Sequence, residues 1–284
     1  AWRGTQSQSR YTAPVNTPFL KAMSKTVGWI ADRRIPRPLR EPIYRGYCRF
    51  TGAAIDEARP PIDGYPSLGA FFVRRLAQGA RTIEQDPRLL PSPCDSRIQN
   101  ISTIQSDTVL QAKGSPYSVR DILAGVGEDI DFEGGHAWIL YLSPSDYHRV
   151  HSPEDATLTE VRWVPGSFYS VAPKVLRKRN GVIAGNERAV LRLETSRGPL
   201  FLVMVGALNV ARIRVLGVEP GVDTKLDRHF TRGEELARFE MGSTVVLLSP
   251  KGGITPLDSL SEADALRLGQ AVARWGSERA KSSE

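Results

Sequence analysis

A glycine–serine pair, Gly242-Ser243, stands at the entrance of an apolar run of β-type residues, and Ser243 is the first of the last 42 residues of the chain. Glycine has no side chain, so its carbonyl is open to attack and its backbone reaches angles that other residues avoid. The neighbouring serine hydroxyl can attack that carbonyl if a base takes its proton. The pair therefore suggests a self-cleaving bond, although Gly-Ser is also an ordinary turn pair.

Two of the four histidines, His148 and His151, lie three residues apart in a segment bracketed by Pro144 and Pro153. Imidazole titrates near neutral pH and is suited to acid–base work. The same two side chains could instead form a zinc site with Glu154, or serve structure alone. Since the prolines disfavour a long helix and no cysteine or further histidine pair completes a ligand set, we expect no metal.

A third candidate, Asp95, lies in the proline-containing turn formed by residues 92–96. A lone aspartate in such a turn is usually a turn former. Asp95 could also orient a histidine that in turn deprotonates a serine. The three segments together supply a nucleophile, a base and an acid.

The composition indicates a folded scaffold for these side chains. The chain has 284 residues, of which 40% are apolar and 24% charged, as in globular proteins. Its longest apolar stretch, residues 200–211, is too short to span a bilayer. Cys48 and Cys94 lie far apart, and we expect both to be buried and unpaired. The sequence has no phosphate-cradling glycine motif, and we expect no nucleic-acid partner.

Positive charge is concentrated at the N-terminus. The net charge is +7, and residues 1–50 contain ten Lys and Arg against Asp32 and Glu41, so that the remainder sums to −1. Within this arm, apolar residues recur at steps of three and four from Pro18 to Ile35, which predicts an amphipathic helix. Such a basic helix can lie in the headgroup layer of an anionic membrane, or it can pack on its own domain.

The remaining pattern predicts an α+β protein with a β-rich core of sandwich-like or barrel-like sheets, N-terminal amphipathic helices and a C-terminal helix. A second short helix is expected over Ser67–Leu76. The C-terminal helix is expected to open at Ser261–Asp264 and to carry Leu266, Leu268, Val272 and Trp275. The predicted strands are Ala137–Leu142, Thr157–Val164, Val190–Thr195, Leu200–Val205 and Thr244–Leu248.

Several motifs in the right order resemble the phosphatidylserine decarboxylase family. They are the run YLSPSDYHRVHSP at residues 141–153, the SP-x-D turn at 92–95 and GST at 242–244. Supporting matches lie at residues 71–76, 113–119, 165–171, 186–188, 205–210 and 233–239. The resemblance covers roughly residues 60–250. Where the family usually has a glycine after the turn aspartate, this chain has Ser96, which puts the rate of maturation in question.

The resemblance implies that the proenzyme cuts itself between Gly242 and Ser243, into a β chain of residues 1–242 and an α chain of residues 243–284. Ser243 then becomes a pyruvoyl group, the built-in cofactor. The family triad corresponds to Asp95, His151 and Ser243, in which His151 accepts the serine proton and Asp95 holds its tautomer. The family further implies that His148 serves decarboxylation and substrate binding, and that Tyr141 lines the same pocket.

By this resemblance, the substrate is phosphatidylserine in an anionic membrane, which is decarboxylated through a Schiff base to phosphatidylethanolamine. Residues 1–50 would form the membrane-associating arm and residues 51–284 the catalytic domain. The expected location is the cytoplasmic face of the bacterial inner membrane, with the mitochondrial inner membrane as the alternative. A homodimer is compatible with the family. Two other functions stay open: a pyruvoyl-dependent decarboxylase of another amino acid or lipid headgroup, and a non-catalytic membrane-binding relative.

Overall fold

Antiparallel strands are the main regular structure of the computed structural model, which describes residues 26, 28–110, 116–176, 178–207, 212–240 and 243–276. In chain order the strands are β1 (Leu89–Pro91), β2 (Ser96–Thr103), β3 (Thr108–Leu110), β4 (Pro116–Ser118), β5 (His136–Leu142), β6 (Arg149–His151), β7 (Ala156–Val164), β8 (Arg188–Thr195), β9 (Gly198–Gly206), β10 (Ile213–Val215), β11 (Thr224–Phe230), β12 (Glu235–Phe239), β13 (Ser243–Ser249), β14 (Ile254–Pro256), β15 (Ala265–Leu266) and β16 (Ala271–Trp275). The helices are α1 (Arg37–Thr51), α2 (Leu68–Phe72), α3 (Val119–Leu123), α4 (Pro173–Leu176) and α5 (Val182–Gly185), with a 3-10 turn at Ile62–Gly64. The predicted α+β class with a β-rich core is confirmed.

The largest sheet has the strand order β11-β7-β8-β9-β13-β5-β2-β15. All five strands predicted from the sequence lie in it, as β5, β7, β8, β9 and β13. β13 is central and fully buried, because its side chains enter apolar clusters on both faces. Val245 and Leu247 pack on one face, and Val246 and Leu248 pack on the other. This two-sided burial explains why the strand reads as a continuous apolar run rather than an alternating one.

A smaller sheet, in the order β10-β12-β6, packs on the same face of the large sheet as Val245. Val150 of β6 and Leu236 and Phe239 of β12 contribute to that apolar cluster. β12 runs directly towards β13 along the chain, since Phe239 and Ser243 are only four residues apart. The small sheet therefore carries the segment of the two histidines to the beginning of β13.

Helix α1 begins after Pro36, with Pro38 in its first turn, where no backbone donor is needed. Its buried residues Tyr44 and Cys48 pack on α2, where Tyr44 stacks on Phe71 with ring centroids 4.4 Å apart. The hydroxyl of Tyr47 donates to the Pro144 carbonyl at 2.6 Å, which joins α1 to the segment of the two histidines. As predicted, Cys48 and Cys94 are buried and unpaired.

The predicted helix from Pro18 to Ile35 falls largely outside the described residues. Helical geometry is described only at Thr26 and over residues 28–31. The second predicted helix, Ser67–Leu76, is confirmed in a shorter form as α2. Ser67 caps it by accepting the Ala70 amide at 3.1 Å, and the chain then turns so that Leu76 pairs with Ala58.

The predicted C-terminal helix is wrong, because that segment forms the strands β15 and β16. The Ser261–Asp264 sequence does make the hydrogen bonds of a helix start, with Ser261 N–H donating to the Asp264 carboxylate at 2.8 Å, but a helix does not follow. Gly269 interrupts the segment at φ +87°, a left-handed conformation. β16 then pairs with β1 and β14, which buries Val272 and Trp275 through long-range contacts.

Close packing around β5 and β13 predicts that a single methyl group before β5 destabilises the fold. A Cβ at Gly135 would lie 2.3 Å from the Ser249 carbonyl oxygen and 2.9 Å from that of Phe132, both backbone atoms. We expect Gly135→Ala to lower the free energy of unfolding by about 1–3 kcal/mol, the usual range for overpacking. Urea unfolding, in a Ser243→Ala background that keeps the chain uncut, measures the change.

The matched control is Gly46→Ala in α1, where a Cβ meets nothing within 4 Å. Alanine in an exposed helix should raise the free energy of unfolding by about 0.5–1 kcal/mol. An unchanged urea midpoint for Gly135→Ala would contradict the packing described for β5 and β13.

Candidate active site

The register of three neighbouring strands brings the predicted site residues to one end of the large sheet. Tyr141 of β5 pairs with Thr244 of β13 on one side and with Arg97 of β2 on the other. Because these strands alternate in direction, the start of β2, the end of β5 and the start of β13 lie side by side. Asp95 and Ser243 are therefore separated by two strand spacings, roughly 10 Å between their backbones.

Ser243 is fully buried at the first position of β13, between Leu142 of β5 and Gly206 of β9. Its hydroxyl oxygen has no hydrogen-bond partner among the described residues. A buried hydroxyl is normally hydrogen-bonded, so this one is available to react. Gly242, the other half of the predicted cleavage site, lies outside the described residues.

His151 is presented by β6 as a neutral base. Its Nδ1 lies 2.8 Å from the Gly233 carbonyl oxygen and its Nε2 lies 3.1 Å from the Tyr147 hydroxyl. A carbonyl oxygen only accepts, so Nδ1 carries the proton and the Nε2 lone pair accepts from Tyr147. Burial lowers the pKa of His151 below its usual value, which keeps the imidazole neutral.

Asp95 is bound by Arg81 rather than by a histidine. Arg81 donates to it twice, from Nε at 2.9 Å and from Nη2 at 2.5 Å, and the Leu268 amide donates a third hydrogen bond at 2.7 Å. Arg81 also pairs with Glu57 at 2.7 Å. Asp95 makes no hydrogen bond to His151 or Ser243, all three of which are described. The next residue, Ser96, is buried.

The aspartate turn and the histidine segment nevertheless touch. The backbone N–H of His151 donates to the Pro93 carbonyl at 2.8 Å. Burial lowers the pKa of His151, and the Gly233 hydrogen bond, the charge of Glu235 and, to a smaller extent, the charge of Asp95 partly offset that effect. The structure therefore brings Asp95, His151 and the beginning of β13 into one neighbourhood, with Asp95 acting on His151 at a distance.

His148 is completely buried, and the ring of Phe72 lies 4.1 Å from its own. Its Nδ1 donates to the Asp146 carbonyl at 2.9 Å, and its Nε2 has no hydrogen-bond partner in the described part of the chain. Burial is the main reason that the pKa of His148 is lowered to about 3. The His148 carbonyl accepts the Phe239 amide at 2.9 Å, which places His148 beside the chain that leads to Ser243.

Tyr141 lies on the opposite face of the large sheet from these groups. Its direct cross-strand neighbour is Thr244, and it packs in the cluster of Val246. Ser243 and Leu142 instead point to the face that β6 covers. The sheet therefore does not place Tyr141 beside His148, and its role as a substrate-binding residue stays a prediction.

The alternative zinc site does not form among the described residues, where no group of three or more His, Cys, Asp or Glu could hold a metal ion. Glu154, the expected third ligand, accepts hydrogen bonds from Arg232 at 2.7 Å and from the Trp275 indole at 3.0 Å. His148 and His151 each use Nδ1 to bind a carbonyl of the backbone.

Four contacts of the site were not predicted from the sequence. They involve Tyr147, Gly233, Arg81 and the buried Arg74. Tyr147 and Arg74 both lie inside motifs that carry the family resemblance, at residues 141–153 and 71–76. The motifs therefore drew attention to these positions but did not indicate what the two side chains do. For Arg81 the sequence holds no comparable signal, because its pairing with Asp95 depends on the fold.

Comparison with known proteins agrees with this geometry. The family model described as phosphatidylserine decarboxylase matches residues 68–274, well over half of the chain. The chain belongs to the phosphatidylserine decarboxylase family. The matched span includes every described residue of the site, from Arg74 to Ser243.

Individual relatives extend the match. A phosphatidylserine decarboxylase proenzyme of Marinobacter nauticus is 35% identical over 271 residues, which are 91% of this chain and 94% of the relative. Another, from Myxococcus xanthus, is 34% identical over 88% of this chain and 93% of its own. A third, from Xanthomonas campestris pv. campestris, is 39% identical over 80% of this chain and 84% of its own. Family membership therefore does not rest on a short motif.

Burial of the family histidine His148 predicts a pH-dependent stability. Its pKa is about 3 in the folded chain, against 6.5 for the exposed side chain, so the unfolded chain takes up the proton more readily. The contribution of neutral His148 to the free energy of unfolding is therefore fully present above pH 6.5 and decreases as the pH falls. We expect His148 to account for about 2 kcal/mol of the decrease in the free energy of unfolding between pH 7.5 and pH 5.

Urea unfolding at both pH values, again in the Ser243→Ala background, measures the loss. His148→Gln should show a correspondingly smaller loss, whereas His229→Gln, at an exposed strand position, should behave like the parent. Equal losses in His148→Gln and the parent would contradict a neutral, buried His148.

Proposed function

We propose that this chain is a self-processing phosphatidylserine decarboxylase. The observation that carries the proposal is the arrangement of the neutral His151 base and the unpartnered Ser243 hydroxyl on one side of the large sheet. The relatives named above are proenzymes of that activity. Two reactions are therefore assigned to the residues of this chain, namely self-cleavage and decarboxylation.

Maturation starts at Ser243. His151 Nε2 takes the Ser243 proton, and Oγ attacks the carbonyl carbon of Gly242, so that a C–O bond replaces the C–N bond. The Tyr147 hydroxyl is hydrogen-bonded to His151 Nε2 at 3.1 Å in the uncut chain, so this hydroxyl must rotate away before the proton is transferred. Asp95 favours the imidazolium that forms, because its charge raises the pKa of His151.

Elimination then breaks the Cβ–Oγ bond and releases Gly242 as the carboxyl end of the β chain. Hydrolysis of the remaining enamine, with loss of ammonia, leaves a pyruvoyl group at residue 243. The residues fit this group, since residue 243 is the first of β13, is buried and faces His151's side of the sheet. When formed, the pyruvoyl group supplies an electrophilic carbonyl that accepts the substrate amine and the electron pair left by CO₂.

His148 serves the decarboxylation step. Its Nε2 lone pair has no partner in the uncut chain, so it is free to bind the substrate and to move a proton. Phe72 covers the imidazole and excludes water from it. We assign Tyr141 to the substrate pocket by family resemblance alone.

We further propose that the enzyme lies on the membrane surface. In the described residues there is no helix with the length and hydropathy needed for a membrane span. The exposed apolar residues Leu39, Ile43 and Phe50 share one face of α1, because they are spaced by four and seven residues. Arg45 and Arg49 are exposed on the same helix and suit anionic headgroups.

This surface supports residues 1–50 as the membrane-associating part and residues 51–284 as the catalytic part. The expected membrane is the bacterial inner membrane at its cytoplasmic face, since the relatives come from bacteria. The partners are then phosphatidylserine, the two chains of the cut proenzyme and, by family resemblance, a second copy.

Self-cleavage is tested by the intact mass of the purified protein. The expected α chain holds 42 of the 284 residues, and so about 4.6 kDa of the 31.3 kDa, with a blocked N-terminus. Ser243→Ala and His151→Ala should stay at full length, because each removes one partner of the proton transfer. His148→Ala should be cut but should release no CO₂ from phosphatidylserine.

His229→Gln is the control, since it removes a histidine from an exposed strand position. A single uncut species in an aged wild-type preparation would favour the non-catalytic alternative. A cut protein that decarboxylates only other substrates would favour the alternative with another headgroup. Cutting in His151→Ala but not in His148→Ala would reverse the two histidine roles.

The membrane surface is tested by sedimentation with vesicles that contain anionic lipid. Ile43→Asp with Phe50→Ser should weaken binding about tenfold or more, since each change removes apolar burial worth more than about 1 kcal/mol. Val222→Ser is the control, because Val222 is an exposed apolar residue outside the helices. Equal binding of the double variant and the control would contradict membrane contact through α1.

A further inference from the structure

Arg74 is a buried cation with no carboxylate counterion among the described residues. It lies two residues after α2 with only 3% of its surface exposed. Its Nη2 donates to the Ser145 carbonyl at 3.1 Å, while Nε and Nη1 have no hydrogen-bond partner. Its guanidinium lies 5.5 Å from the centre of the Phe71 ring, which offers an aromatic face and no charge.

Three other arginines near the site, which are buried or partly buried, are paired with carboxylates. Arg81 pairs with Asp95 at 2.5 Å, Arg149 with Glu235 at 2.5 Å, and Arg232 with Glu154 at 2.7 Å. In the described part of the chain no carboxylate forms an ion pair with Arg74. Because an unpaired charge is costly to bury, an arginine kept in this state indicates an anion that arrives from outside.

The position of Arg74 relates it to the decarboxylation residue. Phe72, two residues earlier, packs on the His148 ring, and Arg74 lies close enough for its charge to lower the pKa of His148. His148 Nε2 is itself buried and unpartnered. The Nε and Nη1 donors of Arg74 and the Nε2 lone pair of His148 are therefore unpartnered in the same part of the interior.

The segment that carries Arg74 is held rigidly against the histidine segment. Arg149, the residue after His148, donates to the Val73 carbonyl from Nε at 3.0 Å and from Nη2 at 2.7 Å. Glu235 fixes Arg149 in turn. The backbone beside Arg74 is thus fixed, and its guanidinium is held at Nη2 by the Ser145 carbonyl, so the side chain loses less freedom when it binds a ligand.

A groove of about 310 Å³ leads towards this position from the N-terminal helical residues. It is lined by Gly28, Ala31, Val73 and Glu240, among others, and Val73 directly precedes Arg74. The exposed Trp29 lies in the same helical segment. The groove therefore lies beside the segment that carries Arg74, between that segment and the N-terminal helical residues.

We propose that Arg74 binds the phosphodiester of the phospholipid substrate beside His148. The assignment rests on the proposed function and deepens it. A guanidinium matches the oxygens of a phosphate in geometry and charge. The substrate carboxylate is the less suitable partner, because its charge leaves with the electrons as CO₂ forms. A guanidinium bound to it would stabilise the substrate more than the transition state.

The phosphodiester also changes the surroundings of His148. Its negative charge offsets that of Arg74, which is one of the causes that keep His148 neutral. Binding of the headgroup then favours proton uptake at His148 Nε2. The site is thus prepared to protonate the substrate only when the phospholipid is in place.

Direct binding tests the assignment with probes that cannot react. Dihexanoyl-phosphatidylethanol has the phosphodiester but neither amine nor carboxylate, its methyl phosphotriester lacks the charge, and N-hexanoyl-serine has only the carboxylate. Calorimetry on the purified protein should show that Arg74→Gln weakens binding of the phosphodiester about 30-fold, because charge-assisted hydrogen bonds are lost. The phosphotriester and N-hexanoyl-serine should bind equally to Arg74→Gln and the wild type.

Arg74→Lys keeps the positive charge but not the planar guanidinium, and it should bind the phosphodiester about fivefold more weakly than the wild type. It also provides the test if Arg74→Gln fails to fold, as judged by near-UV circular dichroism. Arg75→Gln is the matched control, since Arg75 is the next residue and is exposed; it should bind every probe like the wild type.

Unchanged phosphodiester binding in both Arg74 variants would overturn the assignment. So would a loss confined to N-hexanoyl-serine, which would make the carboxylate the partner. These outcomes are separate from failure of the proposed function, which would appear as a wild-type protein that is uncut and releases no CO₂.

Discussion

Burial of the two histidines beside Ser243 is the physical constraint on which the rest of the site depends. Removal from water disfavours the charged imidazole and lowers the pKa of both His148 and His151. In each ring a backbone carbonyl, from Asp146 or from Gly233, accepts the Nδ1 proton. The lone pair is therefore fixed at Nε2 in both histidines. A protein that takes a proton from a serine needs a neutral base of this kind, and we propose His151 for that role, although no described carboxylate is hydrogen-bonded to it.

The same burial also determines how the charged side chains near the site are paired. Asp95 is not the hydrogen-bond partner of His151 that a serine triad would require; its negative charge is balanced by Arg81 and acts on His151 through space. Such a pairing limits how strongly Asp95 can favour the imidazolium. Arg74 differs from the other buried arginines near the site, and we attribute its unpaired state to an anionic ligand.

The sequence was informative where local pattern determines structure. β5 and β13 were predictable because residues buried on both faces of a central strand form continuous apolar runs. Motif order singled out the segments of Asp95, His151 and Ser243, whose catalytic roles stay predictions. The C-terminal strands were not found, because Ser261–Asp264 resembles a helix start while the pairing of β16 with β1 depends on residues far away in the chain. The contacts of Arg81 and Tyr147 also depend on the tertiary fold, which no local pattern encodes.

The pH dependence of self-cleavage tests most directly whether a neutral, buried His151 takes the serine proton. Freshly synthesised proenzyme can be diluted into buffers from pH 4.5 to pH 8, and the α chain followed over time by intact mass. A neutral imidazole base predicts a rate constant that is level at neutral pH and falls about tenfold per pH unit in acid, with the bend below pH 6.5. A rate constant that is flat over the whole range, or that rises with acidity, would contradict this role of His151.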